Sequence, residues 1–380
     1  MTKGTDILYT GSKSSPKTQP PMKFFSCASC QNQVFFANSQ CVSCQTTLGY
    51  IASEKDMGSF EQHSPVLWLA LNEKYQTKRY KPCYNYQHHQ VCNWVIPAES
   101  NDIYCESCVL TYTIPTLDNP DHIVYWSRLE HAKRRFLYLM QRLNIMPRPK
   151  YNDDDRYGLR FNFLMPEPEH PVLTGHANGV ITLNASEADV IYRETTRIKM
   201  GENYRTLLGH FRHESGHYYF DLIKSLHPEL VDEFRQYFGD ERQDYNAALQ
   251  RHYEDGAPQN WDKFYVSPYA STHPWEDWAE TWAHYLHMMD TLETAYYAGL
   301  IVRNNRKDTH DLSFYENPIG AQNFDLLLKQ WMTLTFNLNA LNRSMGLEDA
   351  YPFTLSGPVL DKLRFIHKHV LGKAFARQIA

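Results

Sequence analysis

The sequence predicts an α+β protein in two parts. A cysteine-stapled N-terminal module precedes a mostly helical domain that carries a small β-sheet. Three observations point there. All eight cysteines fall between Cys27 and Cys108, two short stretches near 160 and 180 read as strands, and from about 186 onward the apolar spacing is mainly helical. At 380 residues the chain has room for two domains and a sizeable core.

The first 21 residues, "MTKGTDILYTGSKSSPKTQPP", are polar and lack the apolar centre of a signal peptide, so a disordered tail is expected over 1–21. The longest apolar stretch, "PVLWLAL" (65–71), is far short of the roughly 18–20 residues that span a bilayer. No membrane partner is expected, and the predicted location is cytoplasmic. Net charge is −5 and the pI about 6.4, which removes any global basic field for nucleic acid or anionic lipid.

The module at 22–112 holds two cysteine sets. Cys27, Cys30, Cys41 and Cys44 are spaced C-x2-C-x10-C-x2-C, and Cys83, Cys92, Cys105 and Cys108 are spaced C-x8-C-x12-C-x2-C. Each C-x-x-C turns two thiolates toward one point, and two such turns close a tetrahedron around zinc. The expectation is a double zinc ribbon with two structural zinc sites. Redox-active C-x-x-C is the alternative for the first set, but no βαβ pattern surrounds it. Cysteines packed as small core residues are the alternative for the second. Between the sets, "TKRYKPCYNYQHHQ" (77–90) mixes Lys78, Arg79 and Lys81 with Tyr80, Tyr84 and Tyr86. It reads either as cations balancing the zinc–thiolate charge, which is favoured, or as a stacking surface for nucleic acid.

A linker is expected at 113–121, with two prolines and an Asp placed to cap the next helix, and the second domain at 122–380. Within 122–145 the residues Trp126, Leu129, Phe136, Leu137, Met140 and Leu143 recur near a 3.6-residue period, an amphipathic helix. "LRFNFLM" (159–165) alternates as a strand does, and "GVITLN" (179–184) reads as a second strand. The second is either an ordinary structural strand or a sheet edge to which an extended peptide adds.

"HFRHESGHYYFD" (210–221) contains His-Glu-x-x-His. A helix puts His213 and His217 on one face, one turn apart, and leaves Glu214 beside them, placed to act as a general base. Two histidines need a third donor. The pattern that would supply a third histidine requires Gly at 220 and His at 223, where the chain has Phe220 and Ile223. A carboxylate is available instead from "HPWEDWAETWAHYLHMMD" (273–290), a helix opened by Pro274. There Glu276 and Glu280 share a face beside Trp275, Trp278 and Trp282, and His284 continues it as a supporting residue. Carboxylates on so aromatic a helix are costly to bury unless they bind metal or accept hydrogen bonds. On spacing alone, Glu276 and Glu280 are both candidates for the third ligand.

"HESGHYYFD" together with "PYASTHPWEDWAE" (268–280) resembles the glutamate-class zinc peptidases, or gluzincins, and most closely their lethal-factor-like branch. The resemblance implies that Glu276 is the zinc ligand and Glu280 a supporting carboxylate. It also implies that Tyr269 stabilises the oxyanion and that Asp221 is a supporting acid. The sequence departs from thermolysin-type relatives at Trp275, where those carry Asn, so Glu280 or Asp221 is expected to orient His217 instead. From about residue 22 onward the order of elements is similar to a bacterial family of predicted zinc-binding metallopeptidases with an N-terminal zinc ribbon.

The reading that results is a peptidase acting on a peptide or protein substrate, with three zinc ions per chain and a possible protein partner at the ribbons. Nucleic acid is not favoured. The alternatives are a zinc-ribbon binding protein with a non-catalytic His-Glu-x-x-His site, and a metal-free polar helix. A zinc hydrolase of non-peptide amides shares the same chemistry.

Overall fold

The computed structural model describes residues 24–303, 312–314 and 316–371. The expected tail at 1–21 lies outside the described residues. The chain opens with a small antiparallel hairpin of β1 (Phe25–Ser26) and β2 (Gln33–Val34). Five strands then close a barrel: β3 (Thr47–Ile51), β4 (Asp56–Ser64), β5 (Leu67–Ala70), β6 (Arg79–Pro82) and, after the short helix α1 (Tyr84–His89), β7 (Trp94–Pro97). Neighbours pair antiparallel except at the closure, where β3 and β7 run parallel, Tyr50 opposite Trp94. Ile51, Phe60, Trp68, Ala70, Tyr80 and Val95 fill the interior.

The sequence reading does not contain this barrel, which begins after the first cysteine set and takes in Cys83 and Cys92 of the second between β6 and β7. The 77–90 stretch contributes β6 and α1 to it. Tyr80 points into the barrel, and the Tyr86 hydroxyl donates to the carbonyls of Ser39 and Leu48. Lys78 pairs with Glu54, and Lys81 donates to the Ser100 carbonyl. Its lysines therefore serve local contacts, and two of its three rings face inward.

Strand β8 (Thr111–Thr113) leads into α2 (Pro120–Arg142), which carries Pro at its first turn. The cap is Asn119, whose side chain accepts from the Asp121 N–H at 2.9 Å, where the sequence suggested an Asp. Strands β9 (Arg160–Leu164), β10 (Gly175–Ala177) and β11 (Val180–Asn184) join β8 in the order β10-β11-β9-β8. Thus β11 lies inside the sheet and β10 forms its edge. A two-residue turn at Asn178–Gly179, both with positive φ (49° and 72°), folds β10 back on β11. Of the two readings of "GVITLN", this leaves the ordinary structural strand, since the edge belongs to β10. One sheet face buries Phe161, Phe163, Ile181 and Leu183, and Phe211 meets both phenylalanine rings.

The remaining helices are α3 (Val190–Met200), α4 (Leu207–Leu226), α5 (Glu229–Phe238), α6 (Tyr245–Asp255), α7 (Pro274–Tyr297), α8 (Phe324–Ser344) and α9 (Gly357–Leu371). A short hairpin of β12 (Ile301–Val302) and β13 (Leu312–Ser313) lies between α7 and α8. No helix among the described residues is long and apolar enough to cross a membrane.

Helix α7 is the central post, and buried ion pairs tie it to three neighbours. Asp290 takes Arg212 of α4 at 2.6 Å, Glu293 takes Arg142 of α2 at 2.6 Å, and Asp277 takes Lys362 of α9 at 2.6 Å. Against α4 the contact is closest at Gly216. A Cβ there would lie 2.8 Å from the Ala279 Cα and 3.2 Å from the Trp282 ring. Two indoles bridge the same interface: Trp278 Nε1 donates to the Gly216 carbonyl at 2.8 Å, and Trp282 Nε1 to the Ser215 hydroxyl at 3.0 Å.

Two stability outcomes follow from this packing. Gly216→Ala forces backbone apart from backbone, so unfolding free energy from urea titration should fall by about 1–3 kcal/mol. Arg142→Met removes the guanidinium that faces the buried Glu293 carboxylate and should cost about 3–5 kcal/mol, with much of the loss recovered in Arg142→Met/Glu293→Leu.

Candidate metal centres

The cysteine sets converge as their spacing predicts. Sγ atoms of Cys27 and Cys44 are 3.6 Å apart, as are those of Cys30 and Cys41, and Cys92 and Cys105 are 3.8 Å apart. A disulfide needs about 2.05 Å. Four sulfurs each about 2.3 Å from a central zinc would stand about 3.8 Å from one another. All eight thiols are free, and within each set of four the sulfurs lie within 4.8 Å of one another. Gln31 and Gln45, each directly after the second cysteine of a C-x-x-C, adopt positive φ (62° and 63°) and so close the two knuckle turns of the first set. In the second set the backbone N–H groups of Trp94, Cys105 and Cys108 donate to Cys92, Cys83 and Cys105 sulfurs at 3.4 Å. This donor set fits zinc.

A third cluster forms where α4 faces α7. The cap of α4 is Thr206, whose hydroxyl accepts from the Gly209 N–H at 2.9 Å. One turn of α4 separates His213 from His217. On α7, His273 is the N-cap, its Nδ1 accepting from the Trp275 N–H at 3.1 Å, and Pro274 opens the first turn. Glu276 therefore sits in that turn, where the helix dipole favours a carboxylate.

Glu276 Oε2 lies 3.1 Å from His213 Nε2 and 3.5 Å from His217 Nε2. Donors about 2.0–2.2 Å from one tetrahedral ion stand about 3.3–3.5 Å apart, so the spacing suits a shared zinc. The hydrogen bonding of Glu276 fits as well. Its Oε1 accepts from the Tyr245 hydroxyl at 2.7 Å, whereas Oε2 is buried without a hydrogen-bond partner. Burial works to raise the Glu276 pKa, yet the neighbouring His217 and His213 overcome it and hold the carboxyl well below its usual range.

Glu280, one turn further, accepts from His213 Nδ1 at 2.7 Å and from the Ser267 hydroxyl at 2.7 Å. With Nδ1 as donor, His213 keeps its Nε2 lone pair for the cluster. Glu280 thus orients His213, and not His217 as expected. Asp221 does not orient His217 either. Its Oδ2 lies 3.9 Å from the Nδ1 of His176, a β10 residue, and His217 Nδ1 is buried without a hydrogen-bond partner. The His217 ring is placed by packing, 4.0 Å from Trp275 at the position that departs from thermolysin-type sequences. His284 also differs from expectation. Its Nδ1 pairs with the Tyr351 hydroxyl at 2.9 Å, and burial lowers its pKa to about 4, so it braces the fold behind Glu280 without bonding a cluster residue.

Glu214 points into the same region. Its carboxyl is buried, which raises its pKa, and its Oε2 has no hydrogen-bond partner. Tyr269 stands on the 3-10 turn Tyr269–Ser271 that precedes α7, its ring 6.1 Å from that of His213. Sequence reasoning missed Tyr245 and Ser267. Neither sits at a helical spacing from a motif residue, and only the fold brings them to Glu276 and Glu280.

Comparison with known proteins agrees with this donor chemistry. Residues 24–119 match a zinc-ribbon domain model. Residues 122–369 match the family described as "Putative zinc-binding metallo-peptidase". An uncharacterized protein of Mycobacterium bovis and two of Mycobacterium tuberculosis are each 40% identical over 346 residues, covering 91% of this chain and 94% of each relative. No solved structure matches. With its family match over 122–369 and relatives aligned along nearly its whole length, the chain belongs to the family described as "Putative zinc-binding metallo-peptidase" and carries an N-terminal zinc-ribbon domain.

Proposed function

We propose that the chain is a zinc-dependent peptidase whose catalytic ion is held by His213, His217 and Glu276. One observation carries this reading: the buried, unpartnered Glu276 Oε2 stands within 3.5 Å of two imidazole nitrogens. Burying that carboxylate oxygen without a donor is costly unless a cation completes the site. A zinc ion bound there supplies Lewis acidity and lowers the pKa of water to about 7.

The chain's own groups then divide the work. Glu214 takes a proton from the attacking water and hands it to the leaving amine, and its dry surroundings raise its affinity for that proton. Glu280 and Ser267 hold His213 in one tautomer, and Tyr245 occupies Glu276 Oε1 so that Oε2 is the free donor. Tyr269, whose phenol burial keeps protonated, donates to the oxyanion as it forms. An extended peptide would add along the edge of β10, which packs beside α4. In this reading the cysteine sets hold two further zinc ions with structural roles.

Elemental analysis should therefore find three zinc ions per chain in the wild type and two in His213→Ala/His217→Ala. Two in both proteins would remove the peptidase reading and leave a zinc-ribbon binding protein. Glu214→Gln should keep all three ions and lose about 100-fold or more of its cleavage rate on a peptide library. Undiminished cleavage by this variant would show that Glu214 is not the base.

A further inference from the structure

A cavity of about 700 Å³ opens between the cysteine region and α2, α3 and the start of α4. None of the residues of the His213 cluster lines it. Its cationic wall is formed by Arg128, Arg134 and Arg135 of α2 and Arg193 of α3, with His131 among them, and no Asp or Glu lines it. In a chain with net charge −5 this is a local concentration of positive charge.

The arginines are fixed by neutral groups. Arg128 Nη1 donates to the Ala188 carbonyl at 2.8 Å, Arg134 Nη1 to the Val91 carbonyl at 2.5 Å, and Arg193 Nη1 to the Glu187 carbonyl. Each anchor uses one corner of a guanidinium and leaves other N–H groups for the cavity. Three arginines are buried among the described residues. Arg142 and Arg212 each carry a carboxylate at 2.6 Å, whereas Arg134, only 5% exposed, has none within ion-pair distance among the described residues. A buried cation without a counter-ion is strongly unfavourable. His131 reports the same field: burial lowers its pKa, and Arg134 and Arg135 lower it further, to about 4.

We propose that this cavity binds a small phosphorylated anion, clasped by Arg128, Arg134, Arg135 and Arg193. Guanidinium forks match phosphoryl oxygens in pairs. The volume exceeds what inorganic phosphate needs and lies in the range of small-molecule sites. Ser39, Gln90, Asn93 and Thr206 offer polar contacts for an organic remainder. Because the walls come from both parts of the chain, a bound anion would also tie the cysteine region to the helical domain. One rival explanation is built into the same wall. Cys92 lines the cavity, and a zinc–thiolate centre there is itself anionic.

Isothermal titration of the full zinc-loaded chain at low salt, with pyrophosphate and with ADP, separates the two. Saturable binding is expected, weakened at least about tenfold in Arg135→Gln and in Arg193→Gln. Zinc content measured after titration should be unchanged in both variants, and His213→Ala/His217→Ala should bind as the wild type does. Equal affinity for the two probes identifies the diphosphate group as the whole ligand, and tighter ADP binding identifies a nucleotide. Absence of saturable binding at millimolar concentration overturns the proposal, as does binding that both arginine variants leave intact. Zinc loss from the variants without anion binding overturns it in favour of arginines that balance the thiolates.

Discussion

At Gly216 helix α4 lies so close to α7 that no side-chain carbon fits between them. Everything at the proposed zinc site hangs on that contact. The two histidines belong to α4 and the two carboxylates to α7, so the 3.1 and 3.5 Å separations are set by how the helices seat against each other. The indoles of Trp278 and Trp282 lock the axial register by bonding to Gly216 and Ser215. Further along, the Arg212–Asp290 pair joins the same two helices, and the Arg142–Glu293 and Lys362–Asp277 pairs fasten α7 to α2 and α9. Such buried pairs add little net stability but penalise any other register, because a shift would leave charges unpaired in a dry interface.

The same interface gathers three carboxylates, Glu214, Glu276 and Glu280, around two imidazoles. Like charges so close are tolerable only when each oxygen has a defined partner. Glu280 has His213 and Ser267, and Glu276 has Tyr245 on one oxygen. The oxygens left over, Oε2 of Glu276 and Oε2 of Glu214, are the ones the proposed chemistry uses. In the proposed reading, what the protein leaves unsatisfied here is what zinc and a proton would satisfy.

The N-terminal half is fastened to this scaffold through α2. Tyr50 of the barrel donates to the Gln141 side chain at 2.8 Å, Gln141 donates back to the Ala52 carbonyl at 3.0 Å, and Lys55 donates to the Gln141 carbonyl at 3.1 Å. Rings of Phe36, Tyr50, Trp94 and Tyr138 pack together at the junction. Since α2 also carries Arg142 and packs on α4, the cysteine region and the His213 site share one structural element.

By itself the sequence determined what short-range geometry determines. A four-residue step on a helix puts His213 with His217 and Glu276 with Glu280, and C-x-x-C turns aim paired thiolates at one point, so both constellations were legible before any fold. Hydrophobic periodicity located α2 and two strands of the sheet for the same reason. Tertiary structure alone decided which carboxylate meets which imidazole. Glu280 pairs with His213, while His217 rests on Trp275, because the register of α7 against α4 is set by Gly216 and two indoles, contacts more than sixty residues apart in sequence. Tyr245 reaches Glu276 and His284 reaches Tyr351 across loops of no periodicity. The barrel escaped notice likewise: its closure pairs Tyr50 with Trp94, and pairing between distant strands leaves no local pattern to read.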